Sequence, residues 1–92
     1  MTFYVYALRC SDGSYYIDHS DDLEPRLAEH HAGIASSWTA RRLPVTLVHI
    51  EEAPTRLEAL ERERQSKGWS RAKKEALFKQ NWNRLGWLSR PH

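Results

Sequence analysis

Tyr6 and Tyr16 stand ten residues apart, and Arg26, His30 and Glu63 follow them along the chain. A phenol, a guanidinium, an imidazole and a carboxylate are the groups that metal-assisted cutting of a phosphodiester needs. The guanidinium neutralises the phosphate, the carboxylate holds a divalent metal, and a phenol or imidazole handles the proton. Taken singly, each has a plain structural use. Tyr6 or Tyr16 suits a core or sheet face, Arg26 a surface ion pair to Glu29 or Glu63, and His30 a helix end favoured by the dipole. The ordered set is what points to chemistry.

The elements that must position these groups are readable from local pattern. Residues 2–9, rich in aromatic and β-branched types, and residues 15–19 flank the turn signal Ser11-Asp12-Gly13-Ser14, which predicts a β-hairpin. Alternation puts Tyr4, Tyr6 and Leu8 on one face of the first strand and Phe3, Val5 and Ala7 on the other; Tyr16 and Asp18 share a face of the second. A helix follows to about residue 32, ended by Gly33. Ser20, Asp21 and Asp22 are its possible caps; Asp22 fits best, because it leaves Pro25 in the first turn, where a proline avoids the ~3 kcal/mol penalty of a helix interior. Residues 33–44 read as a polar loop and Val45–Ile50 as a third strand. Thr55-x-x-Glu58 is a capping box for a helix stopping at Gly68, and Ser70 caps a last basic helix, broken near Gly86.

Helical spacing marks three polar residues. Leu23 and Leu27 form an apolar stripe, and Arg26 and His30 border it, four residues apart. Glu63 lies three residues after Leu60 and four after Ala59, at the margin of a buried stripe. A charge at such a margin must be paired, metal-bound or open to a cleft. Glu58 and Glu61 instead fit a solvated face.

Ninety-two residues make a single domain, 1–92, with room for one small core. At this size a chain buries roughly 60% of its unfolded surface. Net charge is only +2, yet residues 64–92 carry eight Lys or Arg against the single acid Glu75. That bias suits a polyanionic partner as well as a solvated helix face. Cys10 is the only cysteine, which excludes an intrachain disulfide and fits a reducing cytosol. No apolar run approaches the roughly 20 residues of a membrane span, and the N-terminus has no signal-peptide pattern. These features predict a soluble cytoplasmic protein.

Tyr4-Val5-Tyr6, Tyr16-Ile17-Asp18, Arg26-Leu27-Ala28-Glu29-His30 and Glu63, in that order, resemble the GIY-YIG nuclease superfamily. The nearest likeness is to its small single-domain bacterial members, similar to the catalytic domain of the structure-specific nuclease subunit that trims branched DNA. It extends from Phe3 to about Leu77 and includes Arg41-Arg42-Leu43-Pro44-Val45 and the run from Ala59 to Lys74. The resemblance implies an α+β fold, a three-stranded antiparallel sheet flanked by helices in the order β-β-α-β-α-α, with one Mg²⁺ or Mn²⁺ in a surface cleft. It also implies roles: Arg26 on the scissile phosphate, Glu63 on the metal, Tyr6 and Tyr16 binding or activating water, and His30 assisting proton transfer.

One motif position departs. Where the family's second motif ends in glycine, this chain has Asp18. A carboxylate fills space that glycine leaves to the substrate, and it repels phosphate. Three readings stay open: altered or impaired activity, a tolerated substitution pointing to solvent, or an extra oxygen ligand for a hard cation. His19 is expected to be exposed.

Trp38, Arg41 and Arg42 in the loop, with Lys67, Arg71, Lys73 and Lys74 around the last helix start, suit stacking and phosphate contacts with DNA. Trp69, Trp82 and Trp87 are expected to pack, and Phe78, Trp82 and Leu85 have the spacing of a core-facing stripe. Three functions compete. The first is a metal-dependent DNA endonuclease acting at branches, flaps or nicks in DNA repair or processing. The second is a nucleic-acid-binding module whose cleft Asp18 disables. The third is a small protein-interaction domain, since the chain shows no separate DNA-targeting domain and would then need a partner protein to supply targeting. The presence together of Tyr6, Tyr16, Arg26, His30 and Glu63 favours the first.

Overall fold

The computed structural model describes the backbone of residues 1–88 and the side chains of residues 1–79. β1 (Phe3–Arg9) and β2 (Tyr15–Ser20) form the hairpin, and β3 (Thr46–Ala53) pairs with the other edge of β1, giving an antiparallel sheet in the order β2-β1-β3. The turn between β1 and β2 closes on Gly13, whose φ of 82° is left-handed and free of strain only for glycine. Tyr6 lies opposite Asp18 on one side and Ile50 on the other.

The two faces of β1 separate as alternation requires. Val5 and Ala7 join Ile17, Val48, Ala53, Ala59 and Phe78 in one cluster. Tyr6 and Leu8 join Cys10 and Val45 in another, against which Leu23 and Leu27 of α1 (Leu23–His31) pack. Each fully buried Val or Leu contributes about 1.5–3 kcal/mol of transfer free energy. Leu8, with no exposed surface, is at the upper end of that range.

α1 begins after Asp22, as spacing from Pro25 predicts, although the Asp22 side chain makes no cap hydrogen bond. Ser20 Oγ instead accepts from the Asp22 N–H at 3.0 Å, a turn that leads the chain into the helix. The helix ends in a Schellman motif, with the Gly33 N–H on the His30 carbonyl and the Ile34 N–H on the Glu29 carbonyl, each at 3.0 Å. α3 (Arg56–Lys67) opens with Thr55 Oγ1 accepting from the Glu58 N–H at 3.1 Å and stops at Gly68. Ser70 Oγ caps α4 (Arg71–Leu88) through the Lys73 N–H at 3.2 Å.

Three sequence expectations need correction. The polar loop 33–44 contains a one-turn helix, α2 (Ser37–Ala40), so the order is β-β-α-α-β-α-α. Ser36 Oγ caps it by accepting from the Trp38 and Thr39 N–H groups; four residues are too few to show a helical period. The third strand runs to Ala53 rather than stopping at Ile50. A bulge opposite Ala7 and Leu8 shifts its register. Glu51 is thereby paired with Arg62 of α3 through two contacts of 2.9 Å, and Ala53 enters the core. The last helix continues through Gly86 to Leu88, since one glycine weakens a helix by only about 1 kcal/mol and does not end it. Phe78 is buried as its spacing predicts; Trp82, Leu85 and Trp87 lie outside the described side chains. Trp69 packs beneath the Arg62 guanidinium and the Lys73 ammonium, each 4.5 Å from the ring centroid.

Candidate active site

Tyr6, on the centre strand, and His30, on the last turn of α1, have no exposed surface. Their contact is Tyr6 Oη to His30 Nε2 at 2.8 Å. The other ring nitrogen, Nδ1, lies 3.0 Å from Thr39 Oγ1. The Thr39 hydroxyl has one proton and donates it to the Ser36 carbonyl at 3.3 Å. Its oxygen therefore accepts from His30 Nδ1–H, which leaves Nε2 as the acceptor of the Tyr6 hydroxyl proton. α2 thus fixes the tautomer of the histidine.

Two effects keep His30 neutral. Burial lowers its pKa from the ordinary 6.5, and the nearby Arg26 charge lowers it further. Burial also pushes the Tyr6 phenol well above its ordinary value, against the pull of the Arg26 guanidinium beside it. Tyr16, rising from burial and from the neighbouring Asp18 carboxylate, is likewise a protonated phenol at neutral pH.

Asp18 stands at the middle of the edge strand and divides its two oxygens. Oδ2 accepts from the Tyr16 hydroxyl at 3.1 Å and pairs with Arg26 Nη2 at 3.4 Å. Oδ1 accepts from the His19 N–H at 2.8 Å and lies 3.7 Å from His19 Nδ1. Burial works to raise the Asp18 pKa, but the His19 N–H, the Tyr16 hydroxyl and the Arg26 charge outweigh it and leave the value lowered. Arg26 accordingly pairs with Asp18, not with the Glu29 or Glu63 that helical spacing offered.

His19 is not the exposed residue expected from its place at a strand end. Its side chain retains 19% of its exposure, and Nδ1 contacts Glu63 Oε1 at 2.8 Å. Glu63 itself is 7% exposed, and its second oxygen takes Lys67 Nζ at 3.2 Å. One donor atom from each of Asp18, His19 and Glu63 lies within 4.8 Å of the others, a grouping able to hold a cation. Thr39 and His19 are the two site residues whose place sequence reasoning missed. Both depend on packing between distant elements; the only local signal was Ser36, the cap residue ahead of α2.

The basic and aromatic residues are distributed unevenly around this centre. Trp38 stacks on Tyr16 with ring centroids 5.7 Å apart, and the Arg42 guanidinium lies 3.9 Å from the Trp38 centroid. Arg42 also pairs with Asp12 at 3.2 Å and donates to the Trp38 carbonyl at 2.8 Å, while Arg41 is exposed. Arg71 binds the Gly13 carbonyl at 2.8 Å and Glu75 at 2.8 Å, tying α4 to the hairpin turn. Of the predicted contact residues, Trp38 and Lys67 touch the central group directly, through Tyr16 and Glu63. Arg71, Lys73 and Lys74 sit at the start of α4.

Away from the site, a cleft of about 560 Å³ lies between sheet and α4, lined in part by Tyr15, Glu75 and Phe78. Beside it His49 and Arg62 hold the Glu51 pKa down from 4.5 to about 2, His49 acting most strongly.

These values set an expected pH profile for stability. His30 binds a proton more readily unfolded than folded, so its contribution is complete above about 6.5 and declines as pH falls below that value. Glu51 is depressed in the fold, so its contribution is present above 4.5 and is lost as pH falls towards 2. Urea midpoints measured against pH should fall in two separate windows, and His30→Gln should remove the upper one. An unchanged upper decline in that variant assigns it to another group.

A three-stranded antiparallel sheet carrying Tyr6 and Tyr16 on adjacent strands, with Arg26 and Glu63 on flanking helices, is the arrangement of a nuclease fold. Residues 2–76 match the GIY-YIG catalytic domain, and the chain belongs to the GIY-YIG family. Within it, the chain is similar to UPF0213 proteins. It is 48% identical over 75 residues to one from Halobacterium salinarum, covering 82% of this chain and 97% of the relative. It is 38% identical over 77 residues to one from Bacillus pumilus, covering 84% and 79%. The solution NMR structure of a UPF0213 protein from Bacillus halodurans superimposes with a TM-score of 0.56 at 38% identity, over 86% of this chain and 84% of that one. A solution NMR structure of an E. faecalis protein gives 0.57 at 32% identity, over 100% and 93%. Among the described residues no helix is long and apolar enough to cross a membrane.

Proposed function

We propose that the protein is a metal-dependent endonuclease that hydrolyses DNA phosphodiester bonds, with branched, flap or nicked DNA as substrate, in DNA repair or processing in the cytoplasm. The observation that carries this reading is the 2.8 Å contact between Tyr6 Oη and His30 Nε2, in which an unprotonated Nε2 would accept the phenol proton. Membership of the GIY-YIG family supports it.

The residues divide the work as follows. Water attacking phosphorus gives a proton to Tyr6 Oη while the phenol's own proton passes to His30 Nε2; the P–O bond to the departing nucleoside breaks, and its oxygen takes a proton from solvent. The phenol need never become a free phenolate, which its raised pKa disfavours. Thr39 holds Nδ1–H of the resulting imidazolium and keeps the ring aligned. Arg26 leaves Asp18 for the phosphate and balances the charge that grows on its oxygens. Tyr16, hydrogen-bonded to Asp18, orients the water. Glu63, buried beside other donor side chains, would hold a divalent cation, Mg²⁺ or Mn²⁺; when bound, it supplies Lewis-acid stabilisation of phosphate charge. Trp38, Arg41 and Arg42 on one side, and Lys67, Arg71, Lys73 and Lys74 on the other, serve the DNA backbone. A partner protein supplies further targeting.

One observation favours the alternative, a DNA-binding module without cleavage. Asp18 occupies Arg26 at 3.4 Å, and Tyr6 and His30 are fully buried. Incubating the purified protein with labelled branched, nicked and single-stranded DNA, with Mg²⁺ or Mn²⁺, separates the two. Metal-dependent cleavage supports the nuclease reading; DNA binding with no cleavage in either metal supports the module. Thr39→Val frees the histidine tautomer and should slow cleavage, by less than the ~10²–10⁴-fold attributed to acid–base catalysis as a whole. A wild-type rate in that variant removes Thr39 from the mechanism.

A further inference from the structure

We propose that Asp18 and His19 complete, with Glu63, a mixed nitrogen and oxygen site that takes a divalent transition ion in preference to Mg²⁺. The inference rests on the reading of Glu63 as a metal ligand and adds two ligands and a selectivity to it.

The geometry begins with β2 being an edge strand. Asp18 and His19 are neighbours, so their side chains leave opposite faces of the pleat. In the middle of a sheet they would be separated by a neighbouring strand. At an edge both can reach the open side, and Asp18 Oδ1 is turned back onto the His19 N–H at 2.8 Å. α3 packs against this strand and brings Glu63 Oε1 to 2.8 Å from His19 Nδ1. All three donor atoms lie within 4.8 Å of one another. Donors bound side by side to an ion at ~2.1 Å lie ~3 Å apart, so small side-chain rotations complete the site.

Charge points the same way. Glu63 is more than nine-tenths buried, with a second carboxylate beside it. A buried carboxylate needs a compensating cation. Lys67 supplies one on Oε2, but its side chain is 53% exposed and reaches Glu63 from the solvent side. The opposite oxygen faces an imidazole nitrogen, which is itself a metal donor once unprotonated.

The donor types set the selectivity. Mg²⁺ prefers an all-oxygen octahedron and rarely takes imidazole, whereas Mn²⁺, Co²⁺ and Zn²⁺ accept it, with affinity generally rising from Mn²⁺ to Co²⁺. His19 is therefore the residue that separates the ions, while Asp18 and Glu63 serve any of them.

Titration calorimetry of the full chain without DNA, using Mg²⁺, Mn²⁺ and Co²⁺ separately, tests this, with the Co²⁺ visible spectrum as a second readout. Saturable binding of one Co²⁺, at least tenfold tighter than Mg²⁺, is expected. His19→Ala should weaken Co²⁺ by tenfold or more and change its spectrum, with little effect on Mg²⁺; Asp18→Asn should weaken both. Melting curves in EDTA establish that each variant is folded, and His19→Gln replaces His19→Ala if the latter is not. Folded His19 variants that bind Co²⁺ as the wild type does, or a wild type that binds no ion, overturn the proposal. The latter result would mean that His19 and Lys67 alone neutralise the carboxylates. Because no DNA is present, the outcomes stay separable. Co²⁺ binding through His19 without DNA cleavage rejects the nuclease reading alone, and cleavage with metal binding indifferent to His19 rejects this inference alone.

Discussion

Arg26→Ala is expected to lower DNA cleavage by about 10²-fold or more while DNA binding weakens little, the size of effect that follows from losing one electrostatic stabiliser of a transition state. The guanidinium lies between Tyr6, which raises its pKa most, and Asp18 at 3.4 Å. It is thus held beside Tyr6 and His30 by the Asp18 carboxylate, which a substrate phosphate would have to replace. On the proposed mechanism the exchange should matter more as the reaction proceeds, because the phosphate would gain negative charge while Asp18 would not. Arg26→Lys should rescue poorly, since an ammonium is a point charge without the planar fork of the guanidinium. Single-turnover cleavage with saturating protein, beside a binding isotherm, makes the distinction. Lost affinity with an unchanged rate would make Arg26 a positioning residue only.

Removing the negative charge of Glu63 is expected to be at least as damaging. Glu63→Gln keeps the shape of the side chain and a hydrogen-bonding oxygen for its neighbours, but it withdraws the charge that holds a divalent ion. Metal stabilisation of a phosphoryl transition state is worth several kcal/mol, hence ~10²-fold or more in rate. Metal affinity measured by calorimetry should fall in parallel with cleavage. DNA binding in EDTA should be retained or improved, because a carboxylate near the phosphate path is neutralised. Wild-type cleavage by the folded variant would sink the assignment of Glu63.

Asp18 connects the two effects. Its Oδ2 faces Arg26 and its Oδ1 faces His19 and Glu63. A glycine, the family residue at this position, makes neither contact. Asp18→Gly should therefore release Arg26, raising DNA affinity in EDTA most visibly at low salt, while lowering the affinity for a transition ion. Assays of both quantities on one preparation test this, and no change in either would mean that Asp18 restrains neither Arg26 nor an ion.

What was legible in the sequence was local. The Asp12-Gly13 turn, Pro25 in the first turn of α1, Gly33, Thr55, Gly68 and Ser70 each act within a few residues of themselves, so their positions alone locate the element ends. Alternation in β1 likewise assigns Tyr6 and Leu8 to one face and Val5 and Ala7 to the other before any partner is known. The ordered tyrosines, Arg26, His30 and Glu63 were sufficient to indicate the family, because their types and order survive without geometry. Tertiary structure decided the rest. That Arg26 meets Asp18 rather than an acid on a helix depends on where α1 crosses β2. That His19 faces Glu63 depends on α3 lying along an edge strand 44 residues away in sequence. That Thr39 orients His30 depends on a single helical turn too short to have a period, and that Glu51 meets Arg62 depends on a bulge whose extra residue alternation does not reveal. In each case the deciding contact joins segments whose approach is set by burial of the whole apolar surface, a property of the assembled sheet and helices that no local stretch of residues contains.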